Sequence, residues 1–231
     1  MKRSQTRGFT LIELNLAMIF VAILVIGVAA TAISVTKINQ RGVMLKTINQ
    51  TGREVMEQMR RDIAAAKTDQ VQYIAPVGGV GRLCLGTVSY TFNTAEALAL
   101  GSAGTIRDTT KADQPTITLV RMQDKGGEWC RQISGVFVKN QVTAPDEAVE
   151  LLQTDQLPVA VHAMDVKPLA QTVSSSATQG LVSLTMILGT NEASTIRADA
   201  VACKPPTDHQ TNFDNCAVRE FHTVIRSSGI E

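Results

Sequence analysis

Four cysteines, three histidines and one carboxylate stranded in an apolar run are the residues of this chain whose types can do chemistry. Cys203 and Cys216 bracket KPPTDHQTNFDN, a polar, turn-rich segment that holds His209, and His222 follows it. Two thiols and two imidazoles can make a zinc site. This spacing lacks the close Cys-x-x-Cys pair usual in one, and thiolate ligands need a reducing compartment. Asp208 and Asp214 offer oxygen to calcium, but two carboxylates are too few to define a calcium loop. The expectation is therefore no metal and no cofactor. In an exported chain the even number of cysteines reads as disulfides, and four cysteines allow three pairings.

Catalytic motifs are missing. The chain has no Gly-x-Ser-x-Gly elbow, no His-Glu-x-x-His helix and no Walker motif. The run VGGVG at 77–81 lacks the lysine and serine of a phosphate loop and reads as a turn. His162 and His222 fall in strand-like runs, where a hydrogen-bonded structural role is the expectation. A net charge of +1 argues against a nucleic-acid surface over the whole molecule, and a single tryptophan, Trp129, against a base-stacking platform. The chain reads as built rather than acting: not an enzyme.

The remaining chemical oddity is Glu13, which stands inside FTLIELNLAMIFVAILVIGVAATAI, residues 9 to 33. A helix of about 25 residues at about 1.5 Å per residue spans a hydrocarbon core of about 30 Å. Lys2, Arg3 and Arg7 precede the run and Lys37 and Arg41 follow it, so the flanks only slightly favour a cytoplasmic amino end. A secretory signal cut after Ala29, Ala30 or Ala32 is the competing interpretation. Against it, Ile38, Leu45, Ile48, Val55, Met59 and Ile63 continue at helical spacing, with Lys46, Arg53, Glu57, Arg60 and Arg61 on the opposite face. No proline interrupts residues 9 to 67, and Gly42 and Gly52 weaken the helix without forbidding it. The pattern predicts one helix of nearly 60 residues, apolar all round in its first half and laid on a globular head in its second.

A basic leader, Gly8 and then FTLIELNLAMIF resemble the class III signal of type IV pilins and of the pseudopilins of type II secretion. The resemblance implies cleavage by prepilin peptidase between Gly8 and Phe9, N-methylation of Phe9, and an assembly role for Glu13. A carboxylate in hydrocarbon is retained for a partner. The family supplies one, the new α-amino group of Phe9 on a neighbouring subunit or, before assembly, on the same chain. Ala30 and Ala22 stand where many major pilins carry proline and glycine, so the helix should be more continuous here. That departure and the chain length lean towards a minor subunit. REVMEQMRRDIAAAK and FHTVIRSSG are most similar to the helix end and final strand of PilW-like minor pilins and J-type pseudopilins.

The fold so implied is α+β and pilin-like, a long N-terminal helix packed on an antiparallel β-sheet. Its parts are a leader (1–8), a membrane-spanning or filament-core helix (9–34), the amphipathic continuation (35–67) and a β-rich head (68–231). Pro76, Gly78, Gly79 and Gly81 read as the end of the helical region. Strands are expected in RLCLGTVSYTF, TITLVRM, SGVFVK, LPVAVHAMDV, GLVSLTMIL and VREFHTVIR, with a short helix at Ala95 to Leu100. The stripe from Ile38 to Ile63 would cover one face of the sheet. The segment between Cys203 and Cys216 resembles the disulfide-bounded C-terminal loop of type IV pilins; with that likeness we pair Cys203 with Cys216 and Cys84 with Cys130, although the residues themselves leave the connectivity open.

Three functions remain: a pilus subunit for adhesion, motility or DNA uptake, a pseudopilin of a type II secretion system, or a membrane-anchored binding module or enzyme. The resemblance implies other pilin subunits, the peptidase, a membrane platform protein and an assembly ATPase as partners. It also implies a single-pass cytoplasmic-membrane location before assembly, then a surface pilus or periplasmic pseudopilus.

Overall fold

The computed structural model describes residues 10–101, 105–144, 148–152, 158–169, 180–191, 195–197, 202–205 and 216–228. Helix α1 runs unbroken from Leu11 to Ala65, 55 residues or about 82 Å at the standard rise. The helix assignment runs without a break through Ala30, as expected where no proline removes a backbone donor. The helix stops two residues before Lys67, because Ala66 turns extended (φ −76°, ψ 147°) while its N–H still reaches back to the Asp62 and Ile63 carbonyls. One 3-10 turn, Thr68–Gln70, follows.

The head is α+β. Its first antiparallel sheet contains β1 (Gln72–Val77), β2 (Val80–Cys84), β3 (Val88–Asn93), β4 (Leu119–Gln123) and β7 (Ala148–Glu150), in the order β1-β2-β3-β4-β7. Helix α2 (Ala95–Leu100) leaves β3, with the Thr94 hydroxyl capping it and Gly101 closing it in the left-handed region. A two-stranded ribbon, β5 (Gln132–Ile133) and β6 (Val136–Phe137), interrupts the chain between β4 and β7. The second sheet is β8 (Val159–Leu169), β9 (Leu181–Thr190) and β10 (Val218–Arg226), in the order β10-β9-β8.

Two expectations need correction. Pro76 does not mark a mere helix exit: it sits in β1, at the irregularity between Ile74 and Val77 in the pairing with β2. A register break on an edge strand is where a residue without an N–H is tolerated. Gly78 and Gly79 then form the two-residue hairpin turn, both at positive φ (61° and 86°), which glycine adopts without strain. The stripe is also shorter than its sequence period. Ile48 is fully buried, but Ile38 remains 71% exposed and Leu45 37%. Above Ile48 the head's cover fades: Met44 is partly buried against the core and Leu45 lines a shallow groove with Cys203, Cys216 and Val218, but Ile38 lies clear of it.

Below that point α1 buries Ile48, Gly52, Val55, Met56, Met59 and Ile63. They join Leu83, Tyr90, Phe92 and Leu119 of the first sheet and Leu184, Met186 and Leu188 of the second in one core. Period-2 alternation sends the other side chains of β2 and β4, such as Val80 and Val120, to the opposite face. There they pack with Ile106, Ile117, Trp129 and Val142 in a separate cluster, under the excursion between β3 and β7.

Candidate functional site

Thr10 is the N-cap of α1, extended at φ −77°, ψ 151°, and Glu13 is the third helical residue. The two close a capping box. The Thr10 hydroxyl accepts the Glu13 N–H at 3.3 Å, while the Thr10 N–H and hydroxyl donate to Glu13 Oε2 at 2.9 and 3.0 Å. The carboxylate thus sits where the positive end of the helix dipole favours it. Within one chain Glu13 organises the start of its own helix. Gly8 and Phe9 lie outside the described residues, so the cleavage position and the expected α-amino partner lie there too.

From Leu11 onward the helix presents apolar side chains to its surroundings. Its most apolar 18-residue stretch has a mean hydropathy of 2.8 and is nowhere buried by the head, so α1 is long and apolar enough to cross a membrane. Exposed large apolar residues continue past the membrane-length run through Val35, Ile38, Val43 and Leu45. From Leu11 to Leu45 they extend for about 51 Å, against a hydrocarbon core of about 30 Å. A simple anchor needs no such excess.

The lower half of the helix is bolted to both sheets. Gly52 lets the Phe221 ring of β10 lie against the helix backbone; any Cβ there would collide with the ring. Asp62 faces the first sheet, where it takes Arg121 Nε at 2.7 Å and Nη2 at 3.2 Å, and the Tyr90 hydroxyl at 2.5 Å. Burial works against this carboxylate, but the Arg121 and Tyr90 contacts outweigh it and hold it below its ordinary value. Desolvation and the bond to Asp62 push the Tyr90 hydroxyl up.

The four cysteines form two disulfides. Cys84 of β2 is joined to Cys130, in the turn before β5, across a Cα separation of 6.2 Å, and Cys203 to Cys216 across 6.0 Å. Because both thiols of the candidate zinc set are consumed, that set cannot form here; His209, Asp208 and Asp214 lie outside the described residues. Among the described residues no group of three His, Cys, Asp or Glu side chains is placed to hold a metal. His162 and His222 do not converge on a site: the His162 ring contacts the Thr190 carbonyl at 2.9 Å, and exposed His222 contacts the Ser183 hydroxyl at 3.2 Å.

Arg82 was not singled out by the sequence, because an arginine in a β-prone run reads as solvent-facing. It is 2% exposed. Its guanidinium donates to the Trp129 and Lys139 carbonyls at 2.6 and 2.8 Å and to Asn140 Oδ1 at 2.9 Å, and stacks 3.8 Å from the Phe137 ring centre. Burial lowers its pKa to about 10. Together with the Cys84–Cys130 bridge, this fixes the base of the β5–β6 ribbon to β2.

These features define an α+β protein with a disulfide-braced head and a projecting apolar helix that is consistent with a membrane anchor. No family model, curated protein or solved structure matches the chain.

Proposed function

We propose that this chain is a minor type IV pilin. The leader is removed after Gly8 by prepilin peptidase, Phe9 is N-methylated, and α1 carries the subunit from the cytoplasmic membrane into a filament. The observation that supports this reading is the surplus of apolar helix surface. Val35, Ile38 and Val43 are exposed beyond the length a bilayer can cover and short of the head's core. Neighbouring helices of other pilin subunits would cover them. Glu13, held by its capping box, stands ready for the α-amino group of a neighbouring subunit, where opposite charges in a low dielectric attract strongly. The role is structural, and the platform protein and ATPase supply the work of assembly.

The test is filament incorporation in a host that carries the assembly system. Glu13→Ala should still be inserted and cleaved but should be recovered in sheared filaments at a small fraction of the wild-type level. Ile38→Asp should show the same split, since residue 38 lies outside both membrane and head. Normal incorporation of both variants would remove the reading.

A further inference from the structure

On the face of the first sheet turned away from α1 lies a pocket of about 420 Å³. Its floor is apolar, made by partly exposed Pro115 and Ala148 over buried Ile117, Val120 and Val142. One wall is the loop 107–116, closed by the Arg107–Thr116 bridge and by the Asp108 N–H donating to the Pro115 carbonyl at 2.9 Å. The other is β7, whose register sets Glu150 opposite Val120.

Asp108 and Lys111 neutralise one another at 3.4 Å, and Asp108 also accepts the Thr110 N–H at 3.0 Å. Glu150 is different. Its carboxylate accepts the Leu119 N–H at 2.8 Å and the Thr118 N–H at 3.1 Å. Among the described residues it has no lysine or arginine nitrogen within 4.0 Å. Burial pushes its carboxyl up, and the backbone N–H bonds and the more distant Lys111 only partly offset that. The walls therefore hold one negative charge without a paired cation, beside a floor that suits methylene groups.

We propose that this pocket binds a primary alkylammonium group, the nitrogen against Glu150 and the alkyl chain on Pro115 and Ala148. Such a group belongs equally to a small free amine and to a lysine side chain of a partner protein. The pocket lies on the side of the sheet opposite the helix, so an occupant would not compete with the packing of α1 on the head.

The experiment follows the Ile117 and Val142 methyl resonances of the full chain in detergent micelles, titrated with n-propylamine hydrochloride and, separately, with 1-propanol. Saturable shifts are expected with the ammonium, at an affinity at least about tenfold above that of the neutral alcohol, because a charge-assisted bond is lost. Glu150→Gln should erase that difference, and Ala148→Leu, which fills the floor but keeps the carboxylate, should weaken both probes. Tighter binding of acetyl-Gly-Lys-Gly-amide than of propylamine would point to a lysine of a protein partner, and binding of propylamine alone to a small amine. Equal response to amine and alcohol in the wild-type chain would overturn the proposal, as would absence of saturable shifts because Lys111 swings onto Glu150. The alcohol comparison needs no variant, so a folding defect in Glu150→Gln cannot mask the answer.

Discussion

At Asp62 one carboxylate connects the helix to the sheet, and its protonation tells how much that connection matters. The group titrates below its ordinary value of 3.8 in the folded chain. A depressed folded pKa means that its contribution is fully present above that ordinary value and is lost as pH falls through the folded one. Wild-type protein should therefore lose more thermal stability between pH 7 and pH 3 than Asp62→Asn does. At pH 7 the variant itself should be destabilised by about 1–3 kcal/mol, since Arg121 and Tyr90 exchange a charged two-oxygen acceptor for one neutral amide oxygen. Circular-dichroism melts at the two pH values check both statements; parallel acid losses in the two proteins would contradict the first. None of this was legible from sequence, because Asp62, Tyr90 and Arg121 come from three elements and share no spacing. The same holds for Glu150, whose pocket is assembled from the 107–116 loop, β4 and β7.

Elements were legible in proportion to their length and period. Helix α1 was readable because its apolar pattern lasts for many turns, and β8, β9 and β10 because they are nine residues or longer. Strands β5 and β7 have two and three residues, too few for any alternation to show. β1 was hidden by its proline. What periodicity could not give was the end of coverage: Ile38 and Leu45 share a face with Ile63, yet only the position of the head decides which is buried. The two helix glycines separate for the same reason. Gly42 has open space around the position of a Cβ, so Gly42→Ala should strengthen the local helix by about 1 kcal/mol, seen as slower amide exchange near residues 38–46. Gly52 has the Phe221 ring there instead. Gly52→Ala should destabilise the head by about 1–3 kcal/mol, and a melt unchanged from wild type would show that the close helix–strand approach is not required.

The whole molecule is a braced head on a rod. The bridge from Cys84 to Cys130 closes a separation of 46 residues and that from Cys203 to Cys216 one of 13. In the loop-entropy model they stabilise by about 4 and about 3 kcal/mol. Cys84→Ser with Cys130→Ser should thus lower the melting temperature more than the corresponding pair of changes at Cys203 and Cys216. The first bridge also holds the ribbon base that Arg82 secures, so its loss should expose Trp129, read as a red shift of tryptophan emission. Under the proposed function this bracing would serve a head outside the reducing interior, and the rod supplies more apolar surface than a bilayer can cover.

The most direct measurement is the mass of the amino-terminal peptide of the full chain, extracted from membranes of cells with and without a prepilin peptidase. A peptide that begins at N-methylated Phe9 and appears only with the peptidase is the predicted result. An intact Met1 end in both cells, or a cut near Ala30, would contradict the pilin reading and leave α1 as an anchor or a signal.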